Sequence, residues 1–206
     1  LSNDTFSPQG KFTPPKESPW SLSTRRIATA GVLAGLTILM AYIPFVGYIP
    51  LPTPAGAATT EHLPVIVGSV LEGPLVGMIT GFFFGLTSFL RAGSPLFKDP
   101  LIAFLPRILI GLTSWLAFAA LQRTNRTAAS ALAGAIGSAT NTVFVLGLGF
   151  LRGYLPWGFI VLIIPQAVVE AIAAAIVITL IVRSYEAVRG RLARARETKP
   201  RDTLPY

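Results

Sequence analysis

Residues 101–121 form an apolar stretch long enough to cross a bilayer, with one charge, Arg107, inside it. A spanning helix needs about 20 such residues. A charge at that depth costs at least about 2.5–3.5 kcal/mol on insertion scales, so it faces a bundle interior and meets a protein group or a ligand. Glu170 lies inside another apolar run and is a candidate partner. One intramembrane cation and one intramembrane anion predict a polar pocket walled by helices.

The rest of the chain fits that frame. Of its 206 residues 52% are hydrophobic and only 13% charged, with a mean hydropathy of +0.63. A soluble domain carries roughly 25% charged residues. The length suits a single domain with about six spanning helices. The chain has no cysteine and one histidine, His62. Disulfides, thiolate metal sites and cysteine nucleophiles are therefore excluded, and a His-rich metal centre is disfavoured.

The pattern predicts an all-α integral membrane protein with six transmembrane helices and both termini cytoplasmic. Residues 1–23 are rich in Ser, Thr, Pro and Lys and read as a disordered cytoplasmic tail. A six-helix membrane domain follows over 24–185, then a basic cytoplasmic tail over 186–206. The helices are expected at about 24–46, 62–71, 74–91, 100–121, 127–150 and 157–183. The second is short for a full span. Pro74 takes a favoured first-turn position. Pro106 and Pro165 fall inside helices and bend them, which a bundle tolerates where neighbours re-satisfy the backbone.

Orientation follows from charge. With the N-terminus inside, thirteen of the 17 Lys and Arg residues fall on the cytoplasmic side: Lys11, Lys16, Arg25, Arg26, Arg123, Arg126, Arg183, Arg189, Arg191, Arg194, Arg196, Lys199 and Arg201. Three, Arg91, Lys98 and Arg152, fall outside. The positive-inside rule puts both termini in the cytoplasm. The net charge of +8 thus reads as topology and attraction of the basic tail to anionic lipid, not as a nucleic-acid surface. A cleaved signal peptide ending at Ala55-Gly56-Ala57 is disfavoured because the preceding apolar region is too long.

Several local patterns bear on function. Gly77, Gly81 and Gly85 form a smooth helical ridge suited to close packing. Ala30 and Ala34, with Gly31 and Gly35 one position on, serve either internal packing or a partner subunit. Three outer links, 47–61, 92–99 and 152–156, are candidate binding loops, the first long and almost uncharged. Tyr154 and Trp157 suit an interfacial aromatic belt or ligand contact. Within the helices the polar set is Arg107, Asn141, Gln166 and Glu170. Gln166 and Glu170 share a helix face. Arg107 lies roughly 10 Å from the outer end of its helix, at 1.5 Å per residue. Two readings stay open: a structural network pairing Arg107 with Glu170, and a pocket for a small polar molecule.

Catalytic chemistry has little support. There is no Ser-His-Asp set, no carboxylate pair, no metal-ligand spacing and no P-loop, so no cofactor is expected and ATP cannot be used by this chain through a P-loop.

Taken in order, these residues resemble a known family. Thr59-Thr60-Glu61-His62-Leu63-Pro64-Val65-Ile66-Val67-Gly68, continuing through Glu72-Gly73-Pro74 to Phe84-Gly85-Leu86-Thr87-Ser88, is similar to the substrate-binding S components of energy-coupling factor (ECF) transporters. Further matches are Pro106-Arg107-Ile108-Leu109-Ile110-Gly111, Thr140-Asn141-Thr142-Val143 and Val169-Glu170-Ala171-Ile172-Ala173-Ala174, and Ala30-xxx-Ala34 matches a first-helix signature. The pattern looks most like the pantothenate-type branch. The resemblance implies a non-enzymatic capture subunit that binds a vitamin or precursor from the outer side of the cell membrane. It further implies that the subunit works with a membrane T component and two ABC-type ATPases. It makes Arg107, Asn141, Gln166, Glu170, His62 and Trp157 candidate substrate-binding residues. It makes Ala30 and Ala34 candidate docking residues for the T component. Glu61 stands where that pattern has an apolar residue, and Val169 where it has a proline. The competing classes are an intramembrane lipid-modifying enzyme, disfavoured by the missing acid/base sets, and a structural membrane protein, disfavoured by the polar set beneath long outer links.

Overall fold

The computed structural model describes residues 18–43, 45–50, 57–92 and 94–198. Six α-helices run in order as α1 (Thr24–Tyr42), α2 (His62–Glu72), α3 (Pro74–Arg91), α4 (Pro100–Leu121), α5 (Arg126–Leu151) and α6 (Trp157–Thr198). Two short strands, β1 (Tyr48–Pro50) and β2 (Ala57–Thr59), form an antiparallel hairpin with Ile49 opposite Ala58. Five of the helices are long and apolar enough to cross a membrane. The 11 residues of α2 rise only about 16 Å, roughly half of a 30 Å hydrocarbon layer.

The short α2 is central. It packs against α1, α3, α4, α5 and α6, while α3, α4, α5 and α6 pack in succession. Val65 and Ile66 from α2, Phe84 from α3, Ile110 and Phe118 from α4, Ala129 and Ala133 from α5, and Ile178 and Val182 from α6 are buried in one core. The chain turns from α2 into α3 at Gly73, whose φ of 113° is open to glycine and strained for other residues.

The glycine ridge of α3 packs on α4 as expected. A Cβ on Gly81 would collide with the Arg107 carbonyl group, and one on Gly85 would lie 2.8 Å from the Ala103 carbonyl oxygen. Ser69 Oγ bridges the same neighbourhood by donating to the Gly111 carbonyl at 2.8 Å. Gly81→Val is therefore expected to destabilise the detergent-solubilised protein by about 1–3 kcal/mol or more, as overpacking does. Gly147→Ala, where an added Cβ meets nothing within 4 Å, should leave the thermal unfolding midpoint nearly unchanged.

Helix ends depart from expectation in three places. Helix α1 stops at Tyr42, and Ile43 is extended (φ −86°, ψ 120°) because the following Pro44 disfavours helical backbone before it. Helix α6 runs on to Thr198, so 186–198 are not an irregular tail. No proline follows Pro165 until Pro200, and Ala, Arg, Glu and Leu in that stretch are good helix formers. Residues 18–23, expected as tail, fold back on the bundle. Trp20 meets Trp115 edge to face with ring centroids 5.4 Å apart, and Arg26 donates to the Ser18 and Ser21 carbonyls at 2.6 and 2.7 Å. The remainder of the two predicted tails, 1–17 and 199–206, lies outside the described residues.

Candidate functional site

Arg107 is placed by its own neighbour. Pro106 has no N–H, so the carbonyl of Ile102, four residues earlier, loses its usual helical partner. The Arg107 guanidinium takes that role, with Nη1 donating to Ile102 O at 2.6 Å. Two rings hold the group in place. Its central carbon lies 5.1 Å from the Phe84 ring centroid and 4.9 Å from that of Phe97, within cation–π range. The residue is 3% exposed. A guanidinium has five N–H donors, yet among the described residues this one makes a single hydrogen bond, and its Nε is buried with no partner. Arg107 forms no ion pair with Glu170 among the described residues. Glu170 Oε1 accepts from Gln166 Nε2 at 2.7 Å instead.

A cavity of about 390 Å³ opens beside this group. Tyr48, Ala57 and Thr59 from the hairpin, Ser94, Leu96 and Phe97 from the second outer link, and Leu155 from the third all line it, so the three predicted loops converge there. Arg152 of the third link pairs with Asp99 of the second at 3.5 Å, with Asp99 almost buried. The walls deeper in are Phe84, Asn141, Val145, Phe159, Ile163 and the Gln166–Glu170 pair. Among the described residues the Asn141 Oδ1 is buried without a partner. The chamber is thus apolar with a cationic group on one wall and amide and carboxyl groups on others, the composition of a small-molecule site.

Glu61, just before α2, is fully buried. Thr87 Oγ1 donates to its Oε2 at 3.4 Å. Burial pushes the carboxyl up to about 7, against the opposing pull of Arg91, the Thr87 hydrogen bond and Arg107. The folded protein therefore holds this proton more tightly than the unfolded chain. The stability tied to it is fully present below the ordinary carboxyl value and lost as pH rises through 7. We expect the unfolding midpoint to fall between pH 5 and pH 8 in wild type, and the fall to shrink in Glu61→Gln. An unchanged pH profile in that variant would contradict the assignment.

The structure brings together four of the predicted substrate-binding residues, Arg107, Asn141, Gln166 and Glu170, around one cavity. It places the other two elsewhere. His62 is buried as the first residue of α2 and is not among the lining residues. Trp157 is 65% exposed, stacks edge to face on Phe150 and borders a separate apolar groove between α5 and α6, as an interfacial aromatic would. Ala30 and Ala34 turn inward, buried with Thr37 and Ala41 along one stripe of α1. Helical geometry then puts the neighbouring small residues Ala28, Gly31 and Gly35 on the exposed face.

Tyr48, Thr59, Phe84 and Phe97 line the cavity without having been singled out. For Phe84 a signal existed. The ridge Gly77-Gly81-Gly85 marks the α4-facing side of α3, and of Phe82, Phe83 and Phe84 the last lies nearest that side, about 60° from Gly81 around the helix axis. Phe97 and Tyr48 sit in irregular links where no periodicity reports direction.

Comparison with known proteins agrees with this architecture. The family model described as "ECF transporter, substrate-specific component" matches residues 25–182, spanning α1 to the last buried turn of α6. The chain is 31% identical over 136 residues to the pantothenate transporter PanT of Leuconostoc mesenteroides, covering 60% of this chain and 67% of that protein. It is 32% identical over 160 residues to the pantothenic acid transporter PanT of Lactococcus lactis, covering 64% of this chain and 79% of that one. The match takes in the hairpin, every helix and all four polar wall residues, and the chain belongs to the substrate-specific components of ECF transporters: it is a multi-pass protein of the bacterial cell membrane, the substrate-binding subunit of a vitamin importer and not an enzyme.

Proposed function

We propose that this chain captures pantothenate, or a close carboxylated analogue, in the Arg107 cavity from the outer side of the membrane. The observation that carries the ligand class is Arg107 itself, a desolvated guanidinium that among the described residues makes a single hydrogen bond and no salt bridge, with only the longer-range field of Glu61 to balance it. A ligand carboxylate would complete it through two parallel charge-assisted bonds. Asn141, Gln166 and Glu170 then face the polar remainder of the ligand, and the apolar walls face its aliphatic part. Two relatives named for pantothenate transport support the choice of vitamin. Native mass spectrometry of protein purified from cells grown with isotopically labelled pantothenate tests it. A bound mass shifted by the label is expected, and a different vitamin-sized mass would reassign the ligand.

The chain delivers that ligand with a membrane T component and two ABC-type ATPases. The docking face is the exposed side of α1, where Ala28, Gly31 and Gly35 leave room for a close-packed helix. Both termini lie in the cytoplasm, supported by the distribution of Lys and Arg. The chain has no native cysteine, so single introduced thiols report sidedness directly. In intact cells Tyr154→Cys should react with an impermeant maleimide and Arg123→Cys should not. The reverse pattern would invert the topology.

A further inference from the structure

We propose that the opposite end of the bundle carries a binding site for the phosphate of an anionic phospholipid, set in the groove between the start of α5 and the extension of α6. The site is separate from the Arg107 cavity and stands whatever that cavity binds. A groove of about 430 Å³ opens there. Arg126 of α5 and Glu186 and Arg189 of α6 form its charged wall, and Val70 and Leu71 at the end of α2 give it an apolar shoulder. The two arginines are held differently. Arg126 Nε is 2.7 Å from Glu186 Oε1, and its guanidinium carbon lies 5.8 Å from the Phe118 ring centroid. Arg189 makes no ion pair among the described residues. Two guanidinium groups and one carboxylate leave the groove one positive charge, which one phosphodiester cancels. The planar fork of arginine matches phosphate oxygens.

Depth points to lipid as the source of that phosphate. Between Trp157 and Val182 the only charged residue is Glu170. At 1.5 Å per residue, Tyr185 stands roughly 42 Å along α6 from Trp157, about the thickness of a bilayer with its headgroup layers. Trp157 and Tyr185 thus suit the two interfacial aromatic belts. Tyr185 also lines the groove, which puts Arg126 and Arg189 at the phosphate level of one leaflet, the cytoplasmic one on the topology proposed above. Basic pockets between helices at that level suit anionic headgroups. Gly190 is a second sign. It lies inside α6, where glycine is unfavourable, and an added Cβ there meets nothing within 4 Å. No neighbour in this chain requires that glycine. It lines the groove, and a headgroup lying against the helix backbone accounts for it.

Native mass spectrometry of the full chain tests the site. Delipidated protein in detergent is titrated with dioleoyl phosphatidylglycerol or with dioleoyl phosphatidylcholine. Wild type should hold one phosphatidylglycerol about 5-fold or more tighter than phosphatidylcholine. Arg189→Ala should weaken phosphatidylglycerol about 10-fold, the low end for a hydrogen bond to a charged group. Gly190→Leu keeps every charge but fills the floor of the groove, and should weaken binding by a similar factor. Its lipid-free unfolding midpoint should stay at or above wild type, because leucine is the better helix former. Arg191→Ala removes the same charge roughly 200° further round the helix, away from the groove, and should change binding by no more than about 2-fold. Equal losses in Arg189→Ala and Arg191→Ala would show diffuse attraction by a basic helix and overturn the site. Unchanged affinity in Arg189→Ala, or phosphatidylcholine bound as tightly as phosphatidylglycerol, would overturn it too. Glycerol phosphate at the same concentration should displace no lipid. Displacement would mark a site for soluble phosphates and overturn the lipid assignment.

Discussion

Arg107→Ala is expected to weaken pantothenate binding by about 2–5 kcal/mol, the usual range for removing one partner of a buried hydrogen-bonded charge pair. That corresponds to roughly a 30- to 4000-fold rise in Kd. Arg107→Lys should fall between this variant and wild type, because an ammonium keeps the charge but loses the planar fork and cannot fill the slot between Phe84 and Phe97 in the same way. Adding Glu170→Gln to Arg107→Ala should not restore affinity, since Glu170 is bonded to Gln166 and not to Arg107. Calorimetry on monodisperse protein decides between the alternatives. Wild-type-like affinity in the double variant would make Arg107 a mere counter-charge and remove it from the ligand site. Arg107→Ala also leaves the Ile102 carbonyl without its donor, so a stability loss of about 1–3 kcal/mol should accompany the loss of binding.

The second large effect concerns assembly. Gly31→Leu with Gly35→Leu places two bulky side chains on the exposed face of α1, where an added Cβ meets nothing in this chain within 4 Å. Folding and ligand affinity should be nearly unchanged, while co-purification with the T component and uptake should be abolished. Ala30→Leu with Ala34→Leu should behave differently. Both alanines are buried at 3–4% exposure, so the added volume enters the core and costs about 1–3 kcal/mol per overpacked site. Pull-down paired with thermal unfolding separates the two pairs. Normal uptake by the glycine double variant would remove α1 from the interface, and unperturbed stability of the alanine double variant would contradict its inward stripe.

Much of this molecule was written in one dimension. Apolar runs of bilayer length, punctuated by Gly73-Pro74, Asp99-Pro100 and Asn125, mark α3, α4 and α5 to within a residue. Helix ends are local events: Asp99 and Asn125 cap their helices through their own side chains, accepting from Leu101 N and Ala128 N at 2.9 and 3.0 Å. The four polar wall residues were legible for a related reason. A polar group inside an apolar helix must face something other than lipid, so Arg107, Asn141, Gln166 and Glu170 announced an interior site from sequence alone.

Partnership was not legible, because it depends on distances between segments far apart in the chain. The sequence allowed Arg107 and Glu170 to neutralise each other. Packing instead gave Arg107 the carbonyl that Pro106 left open and two aromatic faces, and gave Glu170 the amide of Gln166. The burial of Glu61 follows from how the hairpin enters the bundle, which no local pattern encodes. The choice between Ala30-Ala34 and Gly31-Gly35 as the exposed pair of α1 turns on a rotation of about 100° about the helix axis. Both pairs have the same spacing and nearly the same size, so the residue pattern shows only that α1 has a smooth side. The neighbours α2 and α3 decided which side it was, because burying the alanine stripe brings those helices into contact and leaves the glycines facing out.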